Sequence, residues 1–182
     1  MSYKYYLIVD LEATCCDKKT IQRDKMEIIE IGAVVVDAKT LKIVDEYERF
    51  IKPILNPTLT TFCKTLTTIT QEDIDNAMDY KEALEDFKTW FAKYDNFLFC
   101  SWGDYDKSQF LQDCKLHGIK YPFNDKHLNI KQAFAKVQKV KPCGLDIALN
   151  HVDLELQGTH HRGIDDARNM ACLMPFIVKR EE

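Results

Sequence analysis

The sequence predicts an α/β fold, a mixed sheet of five strands with helices against its faces. Two observations carry this prediction. Three strand-like runs rich in apolar and β-branched residues open the chain, and helical periodicity then alternates with a fourth buried strand and a short fifth. Length adds a third, because 182 residues suffice for one domain with a sizeable core, so residues 1–182 are expected to form a single domain.

The first strand is Tyr5-Tyr6-Leu7-Ile8-Val9, running on into Asp10-Leu11-Glu12-Ala13-Thr14. A polar loop follows over residues 18–25. Residues 27–36 (EIIEIGAVVV) and 41–51 read as two more strands joined by the turn Asp37-Ala38-Lys39-Thr40, a meander ended by Pro53 and Pro57. Residues 58–66 suggest a short helix. Thr70 with Asp73 three residues on resembles a helix start. Leu84, Phe87 and Phe91 recur at helical spacing within residues 81–93 and predict an apolar stripe. Residues 97–101 predict a buried strand, 106–117 a helix stopped by Gly118, and 126–130 an edge strand. Helices are expected over 130–137 and 145–151. A final amphipathic helix is marked by Ala167, Met170, Ala171, Met174 and Ile177 and runs to Lys179, with Pro175 kinking it or ending its regular part.

Composition excludes several classes. Apolar residues make up 46% and charged residues 30%, ordinary for a globular protein and unlike a disordered one. No segment reaches membrane-spanning length and no targeting signal opens the sequence, so the expected compartment is the cytoplasm. Seven scattered cysteines, an odd number without a Cys-x-x-Cys pair, suggest reduced and mostly buried thiols; adjacent Cys15 and Cys16 lack a second pair for a zinc site. The net charge of −4 argues against a generic polyanion binder, so attraction to nucleic acid must be local. One stretch fits: residues 126–145 contain no Asp or Glu and carry Lys126, Lys131, Lys136, Lys139 and Lys141. It is either a solvated face or a phosphate track.

Asp10 and Glu12 share one face of the first strand, about 6–7 Å apart along the backbone. They are either two solvated acids at an exposed strand end or a pair that requires a cation, for which a divalent metal suffices. Asp104 and Asp106 both follow the fourth strand, where ligands gather in α/β sheets, and residue physics does not separate them. His161 and Asp166 are five apart, about 140° out of line on one helix, so both can face one site only if the chain turns at Gly163, with His161 in the loop and Asp166 in the first helical turn. His160 and Asp165 are the competing pair.

Three segments, Asp10-Leu-Glu-Ala-Thr, Ser101-Trp-Gly-Asp-Tyr-Asp106 and His161-Arg-Gly-Ile-Asp-Asp166, resemble the exonuclease motifs of the DEDDh, or DnaQ-like, superfamily. Phe62-Cys-Lys-Thr-Leu-Thr, Ile69-Thr-Gln and the closing His161-to-Asn169 run are similar to the branch of Eri-type and histone-mRNA 3′-end exonucleases and bacterial KapD-like proteins. The resemblance covers residues 5 to 176. It implies a ribonuclease H-like fold, metal ligation by Asp10, Glu12, Asp106 and Asp166, and His161 as general base. The family pattern wants its second acid directly after an aromatic, which selects Asp106 after Tyr105, and a His four residues ahead of the last Asp, which selects His161 and Asp166. It also implies that Leu11, Ala13, Thr14, Phe62, Leu66 and Tyr105 contact substrate, core packing being the competing role for Phe62 and Leu66.

The implied activity is 3′-to-5′ hydrolysis of phosphodiester bonds at single-stranded RNA or DNA 3′ ends, RNA preferred, releasing nucleoside 5′-monophosphates. The implied cofactors are two divalent metal ions, Mg²⁺ or Mn²⁺. Bottom-up chemistry agrees: four carboxylates can hold two such ions for in-line displacement, and a neutral histidine of pKa about 6.5 can take a water proton. The alternatives are a KapD-like regulatory or nucleic-acid-binding protein with incidental catalysis, or a DNA exonuclease.

Overall fold

The computed structural model describes residues 3–178. Strands β1 (Tyr5–Ala13), β2 (Ile28–Asp37) and β3 (Ile43–Phe50) form an antiparallel meander. On the other side of β1, β4 (Phe97–Ser101) pairs parallel, and β5 (His127–Asn129) pairs parallel with β4. The order β3-β2-β1-β4-β5 therefore puts the chain's first strand at the centre of the sheet. That position explains why its apolar run is continuous, since a central strand is covered on both faces.

Helices α1 (Thr61–Thr67), α2 (Gln71–Asp75), α3 (Tyr80–Phe91), α4 (Tyr105–His117), α5 (Ile130–Gln138), α6 (Leu145–His151) and α7 (Gly163–Leu173) supply the cover. Leu7, Val9 and Leu11 face a core shared with Phe99 of β4 and with Phe87, Phe91 and Phe110, brought in by α3 and α4. Ile8 faces the opposite core, where Ile130, Phe134, Leu149 and Met170 bring in α5, α6 and α7. Strand alternation then puts Asp10 and Glu12 on the Ile8 side, the side that α7 covers.

Caps set several boundaries. Helix α1 begins at Thr61 rather than residue 58 because the Thr60 hydroxyl accepts the Cys63 N–H at 3.0 Å and serves as its cap. Thr70 and Asp73 make the expected capping box of α2, and Asp79 with Glu82 makes another that starts α3 at Tyr80. Regular α7 stops at Leu173, and Pro175 lies in a 3-10 turn over Met174–Phe176; the expected end at Lys179 lies outside the described residues. All seven cysteines are unpaired. Only Cys63, Cys100 and Cys114 are buried, whereas Cys15, Cys16 and Cys143 are half-buried and Cys172 is exposed, which corrects the expectation of mostly buried thiols. Among the described residues, no helix is long and apolar enough to cross a membrane.

Candidate active site

The site lies where β1 ends beneath the start of α7. Asp10 pairs with Gly32 across β1 and β2, and Gly163, the first residue of α7, rests on that pair. A Cβ on Gly32 would come within 2.0 Å of the Gly163 backbone, and one on Gly163 within 2.9 Å of the Asp10 carbonyl oxygen. Two glycines thus let the helix start touch strand backbone. Asp166 follows within the first turn of the helix, and one oxygen each from Asp10, Glu12 and Asp166 lie within 4.8 Å of one another. The turn expected at Gly163 falls instead at His161, which is left-handed with φ of 65°; Gly163 serves close packing.

Helix α4 delivers the next acid. Asp106, its second residue, is buried, and its Oδ1 accepts the Leu11 N–H at 3.0 Å, which ties α4 to β1. Asp104 is exposed and accepts from Asn129 at 3.0 Å, outside the cavity. The histidines both stay near Asp166: the His161 backbone N–H donates to Oδ2 at 3.0 Å, while the His160 ring Nδ1 lies 3.1 Å from Oδ1. Their rings sit 3.9 Å apart. Asp165 turns elsewhere, accepting from Thr159 N–H and Arg168.

These groups line an open cavity of about 370 Å³. Asp10, Glu12, Asp106, Asp166 and His161 all reach it, as do Leu11, Ala13, Leu66 and Tyr105. Thr14 and Phe62 do not. The Thr14 hydroxyl is buried and accepts the Glu27 N–H at 3.0 Å, holding the end of β1 against the chain entering β2. Phe62 is 39% exposed, which argues against core packing as well, and it borders a separate hollow with Asp17 and Lys18. Both follow from facing: one residue beyond a strand or one position around a short helix changes which space a side chain meets.

The electrostatics are those of crowded acids. Burial raises the Asp10 carboxyl well above its ordinary value, and Asp106, Glu12 and Asp166 add to the shift. Burial, then Glu30 and Asp166, pushes Glu12 up to about 10. Asp106 is pushed up to about 7 by burial, against the pull of the Leu11 hydrogen bond. Oxygen donors gathered with no Lys or Arg paired to them among the described residues suit a hard divalent cation, so the residues fit the metals expected here.

Sequence reasoning passed over several neighbours. Glu30 lies directly across from Glu12, is fully buried, and has one carboxylate oxygen, Oε1, without a partner among the described residues. Its other oxygen accepts the Gly163 N–H at 3.1 Å and the Arg162 Nε–H at 3.3 Å, so β2 caps a helix that carries no side-chain cap of its own. An acid inside an apolar strand was the available signal. Trp102 and Met26, given no role by the sequence, also line the cavity, together with Lys131, Cys15 and His160, which the sequence raises as a phosphate contact, a zinc-site candidate and the competing histidine.

The sequence model of the exonuclease family, RNase_T, matches residues 7–174, which include all five strands and all seven helices but for the first two residues of β1. This chain belongs to that family. Among its relatives, the 3′-5′ exonuclease Snipper of Drosophila melanogaster is 32% identical, with 97% of this chain and 70% of that protein aligned. Human 3′-5′ exoribonuclease 1 is 34% identical over 93% of this chain, which spans about half (51%) of that relative's length. The nuclease domain of 3′hExo, a DEDDh family member bound to rAMP, superposes with a TM-score of 0.88 at 31% identity, covering 94% of this chain and 90% of that one. The sheet and its helices are thus the ribonuclease H-like fold of DEDDh exonucleases, a family that uses divalent metals.

Proposed function

We propose that this chain is a metal-dependent 3′-to-5′ exonuclease acting on the 3′ ends of single-stranded nucleic acid, with RNA preferred and nucleoside 5′-monophosphates released. The observation that carries this reading is the convergence of Asp10, Glu12, Asp106, Asp166 and His161 on one cavity from β1, α4 and the start of α7. The names of the fly and human relatives support the direction of attack, and the human name supports RNA.

In this reading Asp10, Glu12, Asp106 and Asp166 hold two divalent cations, Mg²⁺ or Mn²⁺. Such a pair supplies an activated water and a stabilised leaving oxygen for in-line displacement. His161 takes the proton of the attacking water. Burial and the neighbouring His160 hold its imidazole below the ordinary histidine range, so it is neutral and able to accept at pH 7, while Asp166 pulls the other way. Leu11 acts through its backbone, because its side chain is in the core and its N–H orients Asp106. Leu66 and Tyr105 offer the terminal nucleoside an apolar wall, with the Arg23 guanidinium 4.4 Å over the Tyr105 ring. Residues 1–182 form one exonuclease domain, and we place it in the cytoplasm, where its seven free thiols stay reduced.

Digestion of 5′-labelled single-stranded RNA with Mg²⁺ or Mn²⁺ tests the proposal. A ladder shortening from the 3′ end, abolished by EDTA and by His161→Ala, is expected. No digestion by folded protein with either metal would leave a binding protein instead, and faster digestion of a matched DNA would overturn the RNA preference.

A further inference from the structure

The cavity has two unlike walls. Cys15, Met26, Leu66 and Tyr105 line it without a cation, whereas Trp102, Gly144, Leu145 and Lys131 line it about the start of α5, where Ser101 pairs with Asn129 and the Trp102 ring lies 6.4 Å from that of Phe134. Among the described residues Lys131 is the one Lys or Arg in that lining, in a space otherwise charged by four carboxylates. It is half-buried and engages no acid in any ion pair or hydrogen bond among the described residues. It also stands in the acid-free run of residues 126–145. Trp102, directly after β4, is half-buried with its indole N–H donated to the Cys143 carbonyl at 3.2 Å, so the ring is held in place at the same wall.

From this juxtaposition we infer that Lys131 and Trp102 form a site for the second nucleotide of the substrate, Lys131 binding that nucleotide's own 5′ phosphate, one linkage upstream of the scissile bond, and Trp102 stacking on its base. The inference rests on the exonuclease reading. A polyanion entering a pocket of carboxylates must leave by a route that offers positive charge, and the Lys131 wall is where the lining offers it. A fixed aromatic face beside a free ammonium is the pairing that single-stranded nucleic acid binds without regard to sequence. The ligand class is therefore an unpaired polynucleotide of at least two residues, and the chain leaves the cavity between β4 and the start of α5.

The test compares two substrates and two readouts. Lys131→Gln should lower kcat/KM on a single-stranded RNA five-mer by about tenfold. The loss should be several times smaller on the p-nitrophenyl ester of thymidine 5′-monophosphate, which has no upstream nucleotide, and Lys131→Arg should recover most of the oligomer rate. Anisotropy of a labelled RNA five-mer closed by a 3′ phosphorothioate linkage should show a log Kd against log salt slope reduced by about 0.7, one phosphate contact. The same oligomer should quench tryptophan fluorescence in wild type and not in Trp102→Phe. Equal losses on both substrates, or an unchanged slope and quench, would overturn the site. Lys39→Gln, on the far β2–β3 turn, should change none of these values. If wild type hydrolyses neither substrate, the exonuclease reading fails, while the slope and the quench still decide this site.

Discussion

Glu27 and Glu30 stand three residues apart where the chain enters β2, both out of solvent, and their carboxylates meet opposite surroundings. Glu27 accepts the N–H groups of Ile54, Leu55 and Asn56 at 2.6, 2.9 and 2.8 Å, so it ties the loop after β3 to the sheet. Glu30 has two donors on one oxygen and none on the other among the described residues, and burial pushes it up to about 7 against the pull of Arg162. A buried acid ringed by amides belongs to the frame. One left short of donors among other acids belongs to an electrostatic site. The same contrast separates the aromatic layer under α3 and α4, where Phe87, Phe99 and Phe110 bury about 1.5–3 kcal/mol each, from the acid end of β1, where burial stores repulsion.

The sharpest way to break this contrast is Asp10→Asn. Activity should fall on the order of a thousandfold, while the metal-free protein melts higher because one crowded carboxylate is gone. A near-normal rate would remove Asp10 from the site. Next in size is the paired substitution on β2. Glu27→Ala should cost about 3 kcal/mol in urea unfolding, since buried N–H groups lose their acceptor. Glu30→Gln should cost under about 1 kcal/mol there but lower kcat about tenfold, as the cap on α7 loosens and Asp166 with it. Equal stability costs would show that both acids are framework.

A smaller effect concerns pH. Glu12 and Glu30 have folded values of about 10 and about 7, both raised from 4.5. A raised carboxyl contributes stability that is present below its unfolded value and lost as pH rises through the folded one. In EDTA the melting temperature should therefore decline from about pH 5 upward, most of it by pH 7 to 8, with Glu12 extending the decline toward 10. A fixed concentration of Mg²⁺ or Mn²⁺, a hundred times its Kd at pH 8, should return about 2.7 kcal/mol at that pH, about 5–10 °C in a chain of this size, and less at pH 5, where the carboxylates bind protons instead. A larger gain at acid pH would contradict carboxylate ligation. The smallest effect belongs to the exposed lysines: replacing Lys136, Lys139 and Lys141 with Gln should flatten the salt dependence of RNA binding by less than the Lys131 change per residue, and no flattening would return them to solvated surface.

By itself the sequence determined the element order and most boundaries, because apolar periodicity and capping residues are local signals. Strand β4 and helix α6 fall on the predicted residues 97–101 and 145–151, and the meander of β1, β2 and β3 was readable from its turn. The resemblance singled out Asp106 over Asp104 and His161 with Asp166; the cavity is lined by Asp106 and not Asp104, and by His160 as well as His161. Only the tertiary structure decided that β4 lies parallel beside β1, that Glu30 faces Glu12 and caps α7, and that Lys131 and Trp102 share the cavity wall. It also moved Thr14 and Phe62 away from that cavity. The reason is range: a cap or a stripe is written within a few residues, whereas the approach of Gly32 to Gly163 that seats Asp166 over Asp10 joins distant parts of the chain and exists only once sheet and helix have packed.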